Sequence, residues 1–285
     1  MTGFGEALQR AIDTRGRLCV GIDPHEELLR SWGLDADASG VRTFGLRVVE
    51  AAVGRVGIVK PQVAFFERYG SAGIAALEEV MGRARSAGLL VIADAKRGDI
   101  GTTMDAYAAA WLTPGAPLEA DALTVSPYLG VGALTSTFER AREAGKGVFV
   151  LAATSNPEGA SLQRAVTPEA GGRSVAAQVA AEVDAMNGSF GGRLGTVGLV
   201  IGATVAAEEY GLVTPDEAPR SVASPVLAPG FGAQGARLAD IAALFGPRSP
   251  YVLASVSRSV LRAGPAGIEE AIDDHVRELE GALDV

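Results

Sequence analysis

The sequence predicts an α/β chain closed into a (β/α)8 barrel, and three observations carry that expectation. Eight short β-rich runs recur along the 285 residues. Most of them lack polar alternation, as strands buried on both faces do. Amphipathic helical patterns separate one run from the next. Eight such alternations in a chain slightly longer than ~250 residues suit the TIM barrel, with a doubly wound open sheet as the competing arrangement.

The runs are, in order, Leu18–Asp23, Val56–Lys60, Leu89–Ala95, Ala122–Ser126, Val148–Ala153, Val197–Gly202, Pro225–Pro229 and Tyr251–Val256. Cys19, the single cysteine, lies inside the apolar run LCVGI and reads as a buried packing residue. Val175, Val179, Val183 and Met186 form one helical stripe, and Ile268, Ile272, Val276, Leu279 and Leu283 another. No linker divides the chain, so one domain over residues 1–285 is expected. Enlarged loops are expected around residues 156–195, where Gly/Pro-rich stretches bracket a helix, and around 211–224.

Composition narrows the function. Net charge is −9 with no Lys/Arg run, which argues against a nucleic-acid partner. The N-terminus lacks a basic segment followed by an apolar one, and no apolar run reaches membrane-span length, so a soluble, cytoplasmic protein is expected. His25 and His275 are far apart and outside any metal-spaced cluster; both read as surface or capping residues, and no metal site is expected.

A barrel places its active site at the C-terminal ends of its strands. Those ends carry Asp23, Lys60, Asp94 with Lys96, the Thr154–Ser155–Asn156 triplet, Gln234 in a glycine-rich turn, and Arg258. Polar residues at a strand end are ordinary singly. Two lysines and two aspartates interleaved as Lys60, Asp94, Lys96 and Asp99 are less so. The pleat should put Asp94 and Lys96 on one face, and a lysine flanked by two carboxylates stays protonated and can act as a general acid. A structural salt-bridge network is the alternative.

The segment PGFGAQG, Pro229–Gly235, contains G-x-G-x-x-G. It follows the seventh strand instead of the first, and the next strand ends in Arg258 and not in an acidic ribose ligand. That position fits a phosphate site, with Gly230, Gly232 and Gly235 letting backbone N–H groups approach and Arg258 binding two oxygens.

Together GIDPH, VKPQ, DAKRGDIGTT (Asp94–Thr103), TSNPEG, PGFGAQG and SRS resemble the orotidine 5'-phosphate decarboxylases, in family order and over nearly the whole chain, most closely the longer bacterial subclass. Asp-x-Lys-x-x-Asp alone also occurs in related sugar-phosphate barrels. The resemblance implies a cofactor-independent decarboxylation yielding UMP, with Lys96 as proton donor to C6, Asp94 beside the substrate carboxylate, and Lys60 holding Asp94 and the ribose. It further implies Asp23 on the ribose hydroxyls, Ser155 at the pyrimidine edge, and Gln234 and Arg258 on the phosphate. Asp99, Ile100 and Thr103 would reach the neighbouring subunit's site, so a homodimer is implied. One position departs: Ser257 stands where the family usually has Gly before the final arginine. The rival readings are a metal-dependent sugar-phosphate decarboxylase or aldolase, a non-catalytic nucleotide binder and an NADP-dependent oxidoreductase.

Overall fold

Eight parallel strands pair in sequence order, β1 to β8, and β8 closes back onto β1, which excludes the open sheet. The computed structural model describes residues 3–168, 171–212 and 222–282; most of the 211–224 insertion, and Leu283, lie outside them. The chain begins with α1 (Phe4–Arg15) and β1 (Leu18–Ile22), followed by α2 (Glu26–Ser31) and α3 (Ala38–Ala52). Next come β2 (Ile58–Pro61), α4 (Ala64–Glu67) and α5 (Gly70–Ser86), then β3 (Leu90–Arg97) and α6 (Gly101–Leu112). β4 (Ala122–Val125) leads to α7 (Thr135–Ala144), and β5 (Gly147–Ala153) to α8 (Ala160–Gln163) and α9 (Val175–Phe190). β6 (Val197–Ile201), β7 (Val226–Pro229) with α10 (Ile241–Phe245), and β8 (Val252–Val256) with α11 (Arg258–Leu261) and α12 (Gly264–Gly281) complete it.

The pleat sorts the core into two layers. One residue of each strand (Cys19, Ile58, Ile92, Ala122, Phe149, Val200, Leu227 and Leu253) joins Phe4 and Leu8 of α1 in the smaller cluster, the barrel interior. Their neighbours in sequence, such as Val20, Val59, Val91 and Leu123, pack against the helices in the larger cluster. This two-sided burial is why the strands read as unbroken apolar runs. Val179 and Val183 of α9, and Ile268, Ile272 and Leu279 of α12, are the buried members of the two stripes.

α1 lies across the N-terminal ends of the strands. Its Phe4 meets Phe149 edge-on, with ring centroids 6.1 Å apart, and a side chain at Gly147, the first residue of β5, would run into the Phe4 ring. Ala11 sits against Gly57, just before β2. Two long helices start on side-chain caps: Asp37 accepts from the Gly40 N–H at 2.7 Å, and Ser174 from the Ala177 N–H at 3.0 Å. Among the described residues no helix is long and apolar enough to cross a membrane.

Candidate active site

The interior layer changes character one pleat above Cys19, Ile58, Ile92 and Ala122. Two residues further along each of these strands stand Gly21, Lys60, Asp94 and Thr124. Lys60, Asp94 and Thr124 are all buried, and they sit side by side on β2, β3 and β4. Asp94 is the hub. Its Oδ2 accepts from Lys60 Nζ at 3.0 Å and Gln62 Nε2 at 3.0 Å, while its Oδ1 accepts from Lys96 Nζ at 2.6 Å and Thr124 Oγ1 at 3.0 Å. Gln62 and Thr124 carried no predicted role. Thr124 is an ordinary β-branched residue in a strand, and only its parity with Lys60 and Asp94 marks it.

Burial would push the Asp94 carboxyl up, but the Lys60 and Lys96 ammonium groups outweigh it and hold Asp94 ionised well below the usual carboxylate range. Burial likewise opposes the charge on Lys60, and Asp94 and Asp23 overcome it, so Lys60 lies above the ordinary lysine range. Beneath them, burial pushes the Cys19 thiol up to about 12, which keeps it neutral and inert.

Asp94 and Lys96 do meet, but not through a regular pleat. The β3–β4 register shifts between Ala93 and Arg97, and Lys96 has φ +49°, the single non-glycine residue with positive φ among those described. The Thr124 hydroxyl accepts the displaced Lys96 N–H at 2.9 Å. This irregularity turns the Lys96 side chain onto Asp94 while Arg97 faces outward, paired with Glu67 and over the rings of Tyr107 and Trp111. Among the described residues Lys96 pairs with one carboxylate of its own chain, Asp94, and not with two. Asp99 instead accepts the Ile100 N–H at 2.8 Å at the start of α6, and Ile100 and Thr103 are exposed. Asp99 and Ile100 immediately precede α6 and Thr103 lies in its first turn.

The remaining strand ends place the other expected residues around the same mouth. Asp23 follows β1, and its Oδ1 is buried with no hydrogen-bond partner among the described residues. Ser155 follows β5 and is exposed. The turn after β7 folds on itself, with Gly230, Gly232 and Gly235 at φ +116°, +71° and +108°. The Gly232 N–H donates to Ala236 O at 2.8 Å and the Gly235 N–H to Gly232 O at 2.9 Å. These glycines therefore supply the shape of the turn, and those two N–H groups are not turned outward as expected. Gln234 is exposed at its tip, and Arg258 opens α11 half-buried, with no ion pair among the described residues.

Neither histidine is a plain surface residue. His25 occupies the N-cap position of α2 without a side-chain cap bond and meets the Phe65 ring edge-on at 4.2 Å. His275 is half-buried, its Nδ1 2.7 Å from Ala271 O and its Nε2 3.0 Å from Ser259 Oγ, and Ser259 lies directly under Gly232. Ser257, the departing position, packs its side chain against Gly21, and its Oγ is buried without a partner among the described residues.

Comparison with known proteins adds a second line of observation. The model of the Orotidine 5'-phosphate decarboxylase / HUMPS family matches residues 16–269. The orotidine 5'-phosphate decarboxylase of Salinispora arenicola is 52% identical over 285 residues, 99% of each chain, and that of Salinispora tropica is 54% identical over 286 residues, again 99% of each. A crystal structure from Streptomyces avermitilis, provisionally assigned the same activity, superposes with a TM-score of 0.92 at 49% identity, covering 100% of this chain and 97% of that one.

Proposed function

Since this chain belongs to the orotidine 5'-phosphate decarboxylase family, we propose that it converts orotidine 5'-phosphate to UMP and CO2 as a cytoplasmic enzyme of pyrimidine biosynthesis, within the longer bacterial subclass. The observation that carries the reading is the charged array at the mouth, where buried Lys60 and exposed Lys96 both pair with buried Asp94. The bond from C6 to the carboxyl group breaks heterolytically and leaves its electron pair on C6. The Lys96 ammonium, fixed before the reaction begins, stabilises that charge and then delivers a proton to C6. Asp94 stands beside the departing carboxylate, and Lys60 holds Asp94 in place while reaching the ribose.

The other strand ends bind the rest of the nucleotide. The unpartnered Asp23 Oδ1 supports a contact to the ribose hydroxyls. Ser155 faces the pyrimidine edge. Gln234 and Arg258 take the phosphate, with the Gly230–Gly235 turn closing over it, so that binding energy remote from C6 serves the chemistry. The enzyme acts as a homodimer in which Asp99, Ile100 and Thr103 complete the partner's site. Exposed apolar side chains on the β3 and β4 connections support such an interface: Ile100 is 61% exposed, Tyr128 77% and Leu129 53%.

The test is the loss of orotidine 5'-phosphate absorbance on adding purified protein to chelator-treated, metal-free buffer, with UMP and CO2 as products. Full turnover there is expected. Turnover that needs restored metal would point to a sugar-phosphate lyase instead, and binding of UMP without turnover to a non-catalytic protein.

A further inference from the structure

Between β5 and α9 the chain makes an extra excursion that carries α8, and its last residue turns back toward the site. Gln163 spends both ends of its amide on Thr154, the first residue beyond β5. Its Oε1 accepts the Thr154 N–H at 3.0 Å, and its Nε2 donates to Thr154 Oγ1 at 2.8 Å. Thr154 Oγ1 in turn donates to Asn156 Oδ1 at 2.6 Å. The β5–β6 ladder ends just there, with the Gly202 N–H on Ala153 O at 2.9 Å. Gln163 therefore supplies the acceptor that the next rung of the ladder would have given Thr154.

The knot closes around glycine on both sides. A side chain on Gly159 would begin 3.0 Å from Thr154 Oγ1 and 3.2 Å from Gln163 Nε2. One on Gly202 would begin 3.3 Å from the Ser155 N and 3.4 Å from its Cβ. Thr154 and Gln163 turn their polar atoms into the knot, as Asn156 does its Oδ1, while the Asn156 Nδ2 donates to Glu158 Oε2 at 3.2 Å. Ser155, between two of them, makes no side-chain hydrogen bond among the described residues and faces outward. Gln163 also lines a cavity of about 610 Å³ that lies between the segment after β4 and α9, with Ser126, Val131, Val175 and Val179 in its wall.

We propose that Gln163 is a positioning residue for decarboxylation: it fixes the Thr154–Asn156 turn so that the Ser155 hydroxyl is held toward the pyrimidine. This rests on the reading of Ser155 given above, and it assigns a function to the excursion between β5 and α9. A residue that acts only through Ser155 should lose its influence once Ser155 is gone.

The experiment is a double-mutant cycle on the full-length enzyme, with kcat and KM for orotidine 5'-phosphate and Tm measured for each variant. Ser155→Ala is expected to lower kcat/KM, and Gln163→Ala to lower it about tenfold, as the loss of one well-placed hydrogen bond does. The double variant should be no worse than Ser155→Ala alone. Gln163→Glu, which keeps the acceptor for the Thr154 N–H but loses the Nε2 donor to its hydroxyl, should recover only part of the loss. If Gln163→Ala does not fold, Gln163→Met keeps the chain length and takes its place in the cycle. Wild-type kinetics in Gln163→Ala, or losses that multiply in the double variant, would overturn the positioning role. A fully active Ser155→Ala would overturn it through its premise, a result distinct from either.

Discussion

Asp94 has room for about four hydrogen bonds on its two oxygens, and Lys60, Gln62, Lys96 and Thr124 fill them. Such a carboxylate cannot turn, and it has no acceptor capacity left with which to take up a proton. Lys96, the proposed proton donor, is held in a left-handed backbone conformation that costs a non-glycine residue about 1–2 kcal/mol. Lys96→Ala is expected to lower kcat by at least about 10⁴-fold with an unchanged circular dichroism spectrum. Lys96→Gly should be equally inactive yet about 1 kcal/mol more stable than Lys96→Ala in urea titrations, because glycine accepts the positive φ. Near-normal turnover in either variant would remove Lys96 from the chemistry. Acid stability tests the hub itself. The folded-state pKa of Asp94 lies below its ordinary 3.8, so its charge stabilises the fold fully above that value, and the contribution is lost as pH falls below it toward the folded pKa. Asp94→Asn, which leaves the buried Lys60 ammonium short of a partner, should cost about 3–5 kcal/mol at neutral pH. The gap to the wild type should narrow as denaturation is repeated from about pH 4 downward; a gap independent of pH would contradict the assignment.

At the scale of elements, the strands were legible because a barrel buries each one on both sides, and that burial writes an apolar run into the sequence. Lys60 and Asp94 stood out because a charge at the end of such a run is conspicuous. Thr124 did not, since threonine is at home in any strand, and its role emerges only when residues are counted from the interior layer. The bulge at Lys96 was hidden for a related reason. Regular alternation already put Asp94 and Lys96 together, so nothing in the spacing hinted that the structure reaches the same pairing by breaking the ladder. His275 was misread because its partner, Ser259, lies on another helix, and helix contacts across sequence leave no local signal. α1 offers a test at this scale. Phe4 is 1% exposed and seals the interior far from Lys96. Phe4→Ala should lower stability by about 3–5 kcal/mol, while kcat/KM measured well below the melting transition stays at the wild-type value. A large kinetic defect in the folded variant would mean that the two ends of the barrel are coupled.

For the molecule as a whole, the proposed division of DAKRGDIGTT between two subunits makes a quantitative prediction. Lys96→Ala and Asp99→Ala homodimers should each be nearly inactive. Mixed and allowed to exchange in equal amounts, they form half heterodimers, each with one intact site of two, so about one quarter of wild-type activity should return. No recovery after verified exchange would place Asp99 in its own subunit's site. The closure of one end by α1 has a consequence for the catalytic cycle. With Phe4 and Leu8 plugging the N-terminal end, the rim that carries Asp23, Ser155, Gln234 and Arg258 is the route between Lys96 and bulk water. With Lys96 as the proposed donor, each turnover would spend one of its protons, and that proton would be replaced across the same rim that admits the nucleotide and releases UMP and CO2. On the proposed mechanism the mouth is a single-lane passage: a Gly230–Gly235 turn that stayed closed would trap product and also leave the acid uncharged. Slowing its opening would starve the next turnover of its proton as well as its substrate.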